Sequence, residues 1–263
     1  MTDPVLITRS DSVLTLTLNR PAARNALTDA MIDQLAIALH NAANNQADRI
    51  IVLRGAGDHF CAGADLIEAA AARADPTNNA LRAANEKFGQ LCTIISTHPK
   101  PIIACVQGSV IGGGIGLACA ADIVLASSTT KLRMSEVTLG LIPAQILPMV
   151  MARTGPVIAN RLAITGQAVG ADAAKTFGLF DITYPDTEAG EASLASVITQ
   201  LRSAAPGAIA TTKALVRAAQ SLTSAQYITH AADHFIASAR SPEAEEGIAA
   251  FIARRPPSWS IAP

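Results

Sequence analysis

The stretch SVIGGGIGLACAAD (Ser109–Asp122) decides the fold. It follows the apolar, strand-like run Pro101–Val106 and enters a small-residue run that reads as a helix, with three glycines at the turn. Glycines at a strand-to-helix turn let a ligand approach backbone N–H groups closely. A nucleotide phosphate is excluded by spacing. A P-loop needs a Lys-Ser/Thr pair after its last glycine, and Ile115 and Leu117 stand here instead. A dinucleotide fingerprint counted from Gly112 would need its third glycine where Leu117 lies. Two readings remain: a structural turn, or an oxyanion site that needs a second donor from elsewhere in the chain.

The surrounding chain reads as alternating strands and helices. Ser12–Arg20 alternates apolar and polar residues and predicts a strand. A helix is expected from Thr28, its N-cap. Arg49–Gly55 predicts a buried strand, and a glycine-containing loop, His59–Leu66, leads into an alanine-rich helix ending near Arg73. A break at Ala74–Asn79 precedes a second helix to about Thr97. Ala121–Ser127 predicts another strand, and Thr154–Asp181 two short helices around a turn. Beyond Tyr184 the pattern is helical: Glu191–Ala204, Gly207–Ser221, Ala225–Arg240 and Glu243–Arg254. This all-helical tail argues against an eight-fold barrel, which would alternate to its end.

Of the 263 residues, 50% are hydrophobic and only 16% charged. That charge fraction lies below the quarter usual in globular chains, so subunit contacts are expected to cover apolar surface. With a net charge of −1 and no basic stripe, nucleic acid is not an expected partner. No uninterrupted apolar run reaches the length of a membrane span, and MTDPVLITRS has no signal-peptide pattern. Cys61, Cys92, Cys105 and Cys119 show no CxxC spacing, so buried thiols in a reducing cytoplasm are expected.

The second donor is expected in HFCAGADL (His59–Leu66). Two glycine-containing loops, each entering a helix, can aim two amides at one carbonyl oxygen. With LNRPAARNAL, KPIIACVQGSVIGGGIGLACAADI, SEVTLGLIP, RLAITGQAVGADAAKTFGLFD and AFIARRPPSW in the same order, these loops resemble the crotonase, or enoyl-CoA hydratase/isomerase, superfamily. SEVTLGLIPAQILP and SPEAEEGIAAFIARRPPSW look closer to its methylglutaconyl-CoA and isohexenylglutaconyl-CoA hydratases. The resemblance implies an α/β fold: a spiral of ββα units over residues 1–200 carrying the acyl-CoA site, then a helical oligomerisation region over 201–263. It implies a homotrimer or a dimer of trimers, and no cofactor beyond the coenzyme A of the substrate. It assigns the oxyanion donors to the amides of Ala64 and Gly113.

Hydratases of the family typically use two glutamates. By motif match one position falls on Gly116 and the other on Glu136. Glu136 is the expected general base and acid, with a carboxyl raised by an apolar pocket. One carboxylate serves a 1,3-proton shift, the isomerase reading, and can also serve hydration. The lost side chain at Gly116 is expected to leave space beside the acyl group for a branch or distal carboxylate, helped by Gln145. A non-catalytic, RNA-binding member is the alternative of another class.

Ala22 and Arg24 match the family's adenine-side loop, while Ala62, Asp65 and Leu66 fall along the acyl-CoA. Phe251 and Arg254 match an aromatic residue and a lysine of the last helix. Arg keeps the charge but not the geometry of Lys, and either arginine could be a plain surface side chain. Asp65 reads equally as an N-cap, Asp122 as a structural hydrogen-bonder, and Cys61 as a core thiol. His230 and His234 sit four apart, but no third ligand is evident and no metal site is expected.

Overall fold

The computed structural model describes residues 3–260. Nine strands and ten α-helices run in the order β1 (Val5–Ser10), β2 (Val13–Leu18), α1 (Asp29–Asn44), β3 (Ile50–Gly55), α2 (Leu66–Arg73), α3 (Asn79–Thr97), β4 (Ile102–Val106), β5 (Ser109–Ile111), α4 (Gly113–Ala120), β6 (Ile123–Ser127), β7 (Lys131–Arg133), α5 (Leu147–Thr165), β8 (Ala168–Gly170), α6 (Ala171–Thr176), β9 (Ile182–Tyr184), α7 (Thr187–Ser203), α8 (Pro206–Ser221), α9 (Ser224–Ala239) and α10 (Pro242–Ile252). The larger sheet has the order β1-β2-β3-β4-β6-β9. Only its β1–β2 edge pair is antiparallel.

The two faces of this sheet explain its near-continuous apolar strands. Leu14, Leu16, Leu18, Ile51, Leu53, Ala104, Val106 and Val124 join the main core beneath α1, α3 and α4. The alternate residues Ile50, Val52, Ile103, Cys105 and Leu125 form a second core closed by Leu194 and Val197 of α7. α7 therefore belongs with the sheet, and α8 begins the helical region beyond it.

A smaller sheet, β5-β7-β8, lies across the main core. Two isolated bridges, Leu27 with Ala64 and Cys61 with Val110, carry the same pairing into the preceding turns of chain. Each turn of the spiral thus adds a long strand to one sheet, a short one to the other, and a helix. This pairing brings the 61–65 loop against the β5–α4 turn.

Local signals set several boundaries. Thr28 caps α1 by accepting from the Met31 amide, as expected. Pro206 and Pro242 stand in the first turns of α8 and α10, where a missing N–H costs nothing. α5 is bent at Gly155 (φ 71°, ψ 169°), followed by Pro156. It is two helical segments, of which only the second was expected from sequence.

Candidate active site

The β5–α4 turn is built on Gly112, whose φ of 50° and ψ of −116° are reached at little cost only by glycine. The Gly112 amide is tied to the Arg133 carbonyl at 3.1 Å, and its carbonyl accepts from Ile115 at 2.9 Å. Gly113 follows as the first residue of α4, with no side-chain cap on the helix. Its amide therefore sits at the positive end of the helix dipole.

The opposing loop is equally pinned. Cys61 N donates to Ser109 O, and Ile111 N to Cys61 O. Leu27 N donates to Gly63 O, and Asp65 N to Leu27 O. Gly63 has φ +95°, and a Cβ there would come within 3.8 Å of the Gly113 nitrogen. Among the described residues, neither the Ala64 nor the Gly113 amide donates to an acceptor. Two adjacent amides without an internal partner, on rigid turns, are what an oxyanion site needs.

Glu136 opens a 3-10 turn, Glu136–Leu139, directly after β7 and the buried Met134. A Cβ at Gly112 would lie 3.1 Å from Glu136 Oε1, so the carboxylate stands against the amide-bearing turn. Its Oε2 is buried and has no hydrogen-bond partner among the described residues. Burial pushes the carboxyl above its ordinary range, opposed by the residue's own amide. A carboxylate with one orphaned oxygen beside two free amides can exchange protons with a bound thioester.

The other face of α4 corrects one expectation. A Cβ at Gly116 would fall 2.7 Å from Ile146 Cγ2 and 3.1 Å from Phe88 Cζ. The space beside Gly116 is already filled by hydrocarbon and offers no vacancy for a carboxylate. Gln145 turns away from it: its Nε2 donates to Asn85 Oδ1 of α3 at 2.6 Å. The same Phe88 ring lies 3.3 Å from where a Gly113 Cβ would be, opposite Leu27 Cδ1 at 3.1 Å. Phe88, Ile146 and Leu27 were not singled out from sequence. They read as ordinary core residues until packing places them here.

The remaining expected residues divide into two groups. Ala22 lies in an exposed 3-10 turn, Pro21–Ala23, and Arg24 follows it at φ 50° with its side chain exposed. The Ala62 amide donates to the Arg24 carbonyl at 2.9 Å, which sets this turn beside the 61–65 loop. Asp65 caps α2 through the Ile67 and Glu68 amides and pairs with Arg20 at 2.8 Å. Burial raises its carboxyl, but Arg20 and the two amides outweigh that and hold it below the usual range. Leu66 is exposed. Phe251 and Arg254, at the end of α10, are also exposed, and no described hydrogen bond or ion pair joins them to the site within one chain.

Other candidates have structural roles. Cys61 is fully buried, and burial pushes its thiol up to about 12. Asp122 accepts from the Ile102 amide at 2.7 Å and pairs with Lys213. The His230 and His234 rings meet edge-on at 4.5 Å, and no group of three metal-ligating side chains is present among the described residues.

Fold and site together define a class: an α/β spiral with two backbone amides that have no partner among the described residues and one half-buried carboxylate against the same turn. Comparison with known proteins identifies the class more closely. Residues 8–261 match the family model for enoyl-CoA hydratase/isomerase, and the chain belongs to that family. It is 31% identical over 256 residues to the 2,3-dehydroadipyl-CoA hydratase of Escherichia coli, covering 97% of this chain and 98% of that one. It is 32% identical to the 1,2-epoxyphenylacetyl-CoA isomerase of the same organism, with coverage of 94% and 95%. Among solved structures, an enoyl-CoA hydratase/isomerase from Marinobacter aquaeolei superposes with a TM-score of 0.95 at 36% identity, covering 99% of this chain and all of that one. AtuE from Pseudomonas aeruginosa gives 0.95 at 38% identity, with coverage of 98% and 100%. The chain is thus a crotonase-fold enzyme of a family that contains both hydratases and isomerases. Among the described residues, no helix is long and apolar enough to cross a membrane.

Proposed function

We propose that the protein adds water across the double bond of an α,β-unsaturated acyl-CoA. The observation that carries this reading is the Glu136 carboxylate: its Oε1 stands 3.1 Å from where a Gly112 Cβ would be, against the turn that presents the Gly113 amide, and its Oε2 is buried with no partner among the described residues. The thioester oxygen accepts from the two amides. Glu136 takes a proton from water, and the oxygen of that water bonds to Cβ. The double-bond electrons move toward Cα and the thioester oxygen, whose developing charge the amides meet. Glu136 then returns its proton to Cα, and the net change is one water added. No redox step occurs, so no cofactor is needed beyond the coenzyme A of the substrate.

The SEVTLGLIPAQILP and C-terminal signatures support a branched acyl group; a glutaconyl-type group carries its carboxylate one carbon beyond Cβ and would have to place it away from the hydrocarbon beside Gly116. Arg24 and Ala22 border the coenzyme A groove beside Ala62, and Arg254 and Phe251 complete it. Exposed Val216, Ile228, Phe235, Ile236 and Ile248 on α8–α10 support assembly into a trimer or a dimer of trimers. The four free, buried cysteines fit the cytoplasm.

A second reading, the 1,3-shift isomerase, is favoured by one observation: hydrocarbon fills the second acid's place, leaving Glu136 as the single carboxylate there. Both readings stand on Glu136. In Glu136→Gln, turnover of a panel of enoyl-CoAs should fall by about 10²–10⁴, with acyl-CoA affinity within a few-fold of wild type. Unchanged turnover removes Glu136 from the reaction.

A further inference from the structure

Gly116 lacks the side chain that a two-glutamate hydratase carries, yet its surroundings are not empty. Phe88, from the middle of α3, lays its ring edge across both Gly113 and Gly116, which share one face of α4. Ile146, just ahead of α5, closes the far side and is itself only 3% exposed. Phe88 remains half-buried, and its Cζ lies 3.3 Å from where a Gly113 Cβ would be. Glu136 stands against Gly112 and Phe88 against Gly113. A thioester held by the Gly113 amide therefore has a carboxylate on one side of the turn and hydrocarbon on the other.

We propose that the Phe88 ring, braced by the buried Ile146, forms the specificity wall of the acyl pocket, selecting thioesters whose Cβ carries an alkyl group and refusing those with a charge on Cβ. The inference rests on the acyl-CoA reading above but not on which reaction follows. Neither residue can solvate a carboxylate, and the polar side chains next to them in sequence are engaged elsewhere: Gln145 donates to Asn85 on α3, and Lys87 pairs with Asp33 and Asp29 of α1. A charged group pressed against this wall would lose its water without gaining a partner. A methyl group gains contact instead, at about fourfold in affinity for each buried carbon. Replacing Gly116 by glutamate would not restore a second acid, because its Cβ already collides with Ile146.

The test uses saturated thioesters, which contain no double bond to hydrate or shift. Butyryl-CoA and succinyl-CoA place a methyl and a carboxylate on the same Cβ, and 3-methylbutyryl-CoA adds a branch. Titration calorimetry of the whole protein should rank 3-methylbutyryl above butyryl by about fourfold, and both above succinyl by tenfold or more. Ile146→Ala and Phe88→Leu should shrink the gap between 3-methylbutyryl and butyryl to within twofold; Ile146→Val, the milder change, should shrink it part-way and covers the case in which Ile146→Ala misfolds. Succinyl-CoA binding as well as butyryl-CoA, or an unchanged ranking in folded variants, overturns the wall while leaving the functional reading in place. Failure of wild type to bind any of the three overturns both.

Discussion

Alanine at Gly113 separates the amide site from the fold that carries it. Gly113 lies outside the left-handed region of backbone space, so alanine meets no conformational barrier there. Its methyl would approach Leu27 Cδ1 at 3.1 Å and Phe88 Cζ at 3.3 Å, both ends of movable side chains. A shift of a few tenths of an ångström accommodates it, and alanine's better helix propensity offsets up to about 1 kcal/mol. Stability measured by urea unfolding should therefore change by no more than about 1 kcal/mol. The methyl nevertheless projects toward Leu27 and Phe88, on the residue whose amide is proposed to hold the thioester, and is expected to crowd it. Alanine keeps the N–H, but a thioester oxygen held off it forfeits one oxyanion hydrogen bond, which costs about 3–4 kcal/mol at the transition state, or about 10²–10³ in kcat. Gly112→Ala is the contrasting case. At φ 50° and ψ −116°, a conformation outside the left-handed helical well and in practice reserved for glycine, alanine adds about 1–3 kcal/mol of backbone strain, so this variant should lose stability as well as activity. Steady-state kinetics on folded protein decides the matter. A Gly113→Ala enzyme with kcat within tenfold of wild type would refute the role of that amide.

Three further outcomes follow from the same geometry. The raised Glu136 carboxyl means that ionisation is harder in the folded than in the unfolded chain. The protonated form thus contributes stability at low pH that is lost as pH rises through the folded value. Glu136→Gln should melt at or above the wild-type temperature at pH 8, with the difference vanishing at pH 4, and the acid limb of kcat/KM should lie above the ordinary glutamate range. Asp65→Ala removes the cap of α2 and leaves Arg20 without its carboxylate partner; urea unfolding should show a loss of about 1–2 kcal/mol. Cys61, buried with its thiol near 12, should resist iodoacetamide in the native protein at pH 8, as read by mass spectrometry, and react only on unfolding.

Much of this was legible from sequence because it is local. The caps at Thr28 and Asp65, the long helices α1 and α3, and the apolar strands β3 and β4 carry their signals within a few residues. β5, β7 and β8 are three residues each, too short for alternation to register, and long-range pairing alone makes them strands. β1 was missed because it is an edge strand with a single buried residue, Val5. The site shows the same limit. Ala64, Gly113 and Glu136 lie in motifs, whereas Phe88 looks like any apolar residue on the inner side of a helix. The missing side chain at Gly116 is visible in the sequence; the ring and methyl group that fill its place come from segments 28 and 30 residues away and are not.

Addition of water to an enoyl thioester by Glu136 and two backbone amides is the step on which the proposed function rests. Its most direct test is incubation of purified protein with short, branched and glutaconyl-type enoyl-CoAs in deuterated water, followed by mass spectrometry. Wild type should form a product heavier by one water with one deuterium on Cα, and Glu136→Gln should form almost none. Deuterium exchange with a moved double bond and no added water would contradict hydration and establish the isomerase. No conversion or exchange of any enoyl-CoA would contradict the catalytic account altogether.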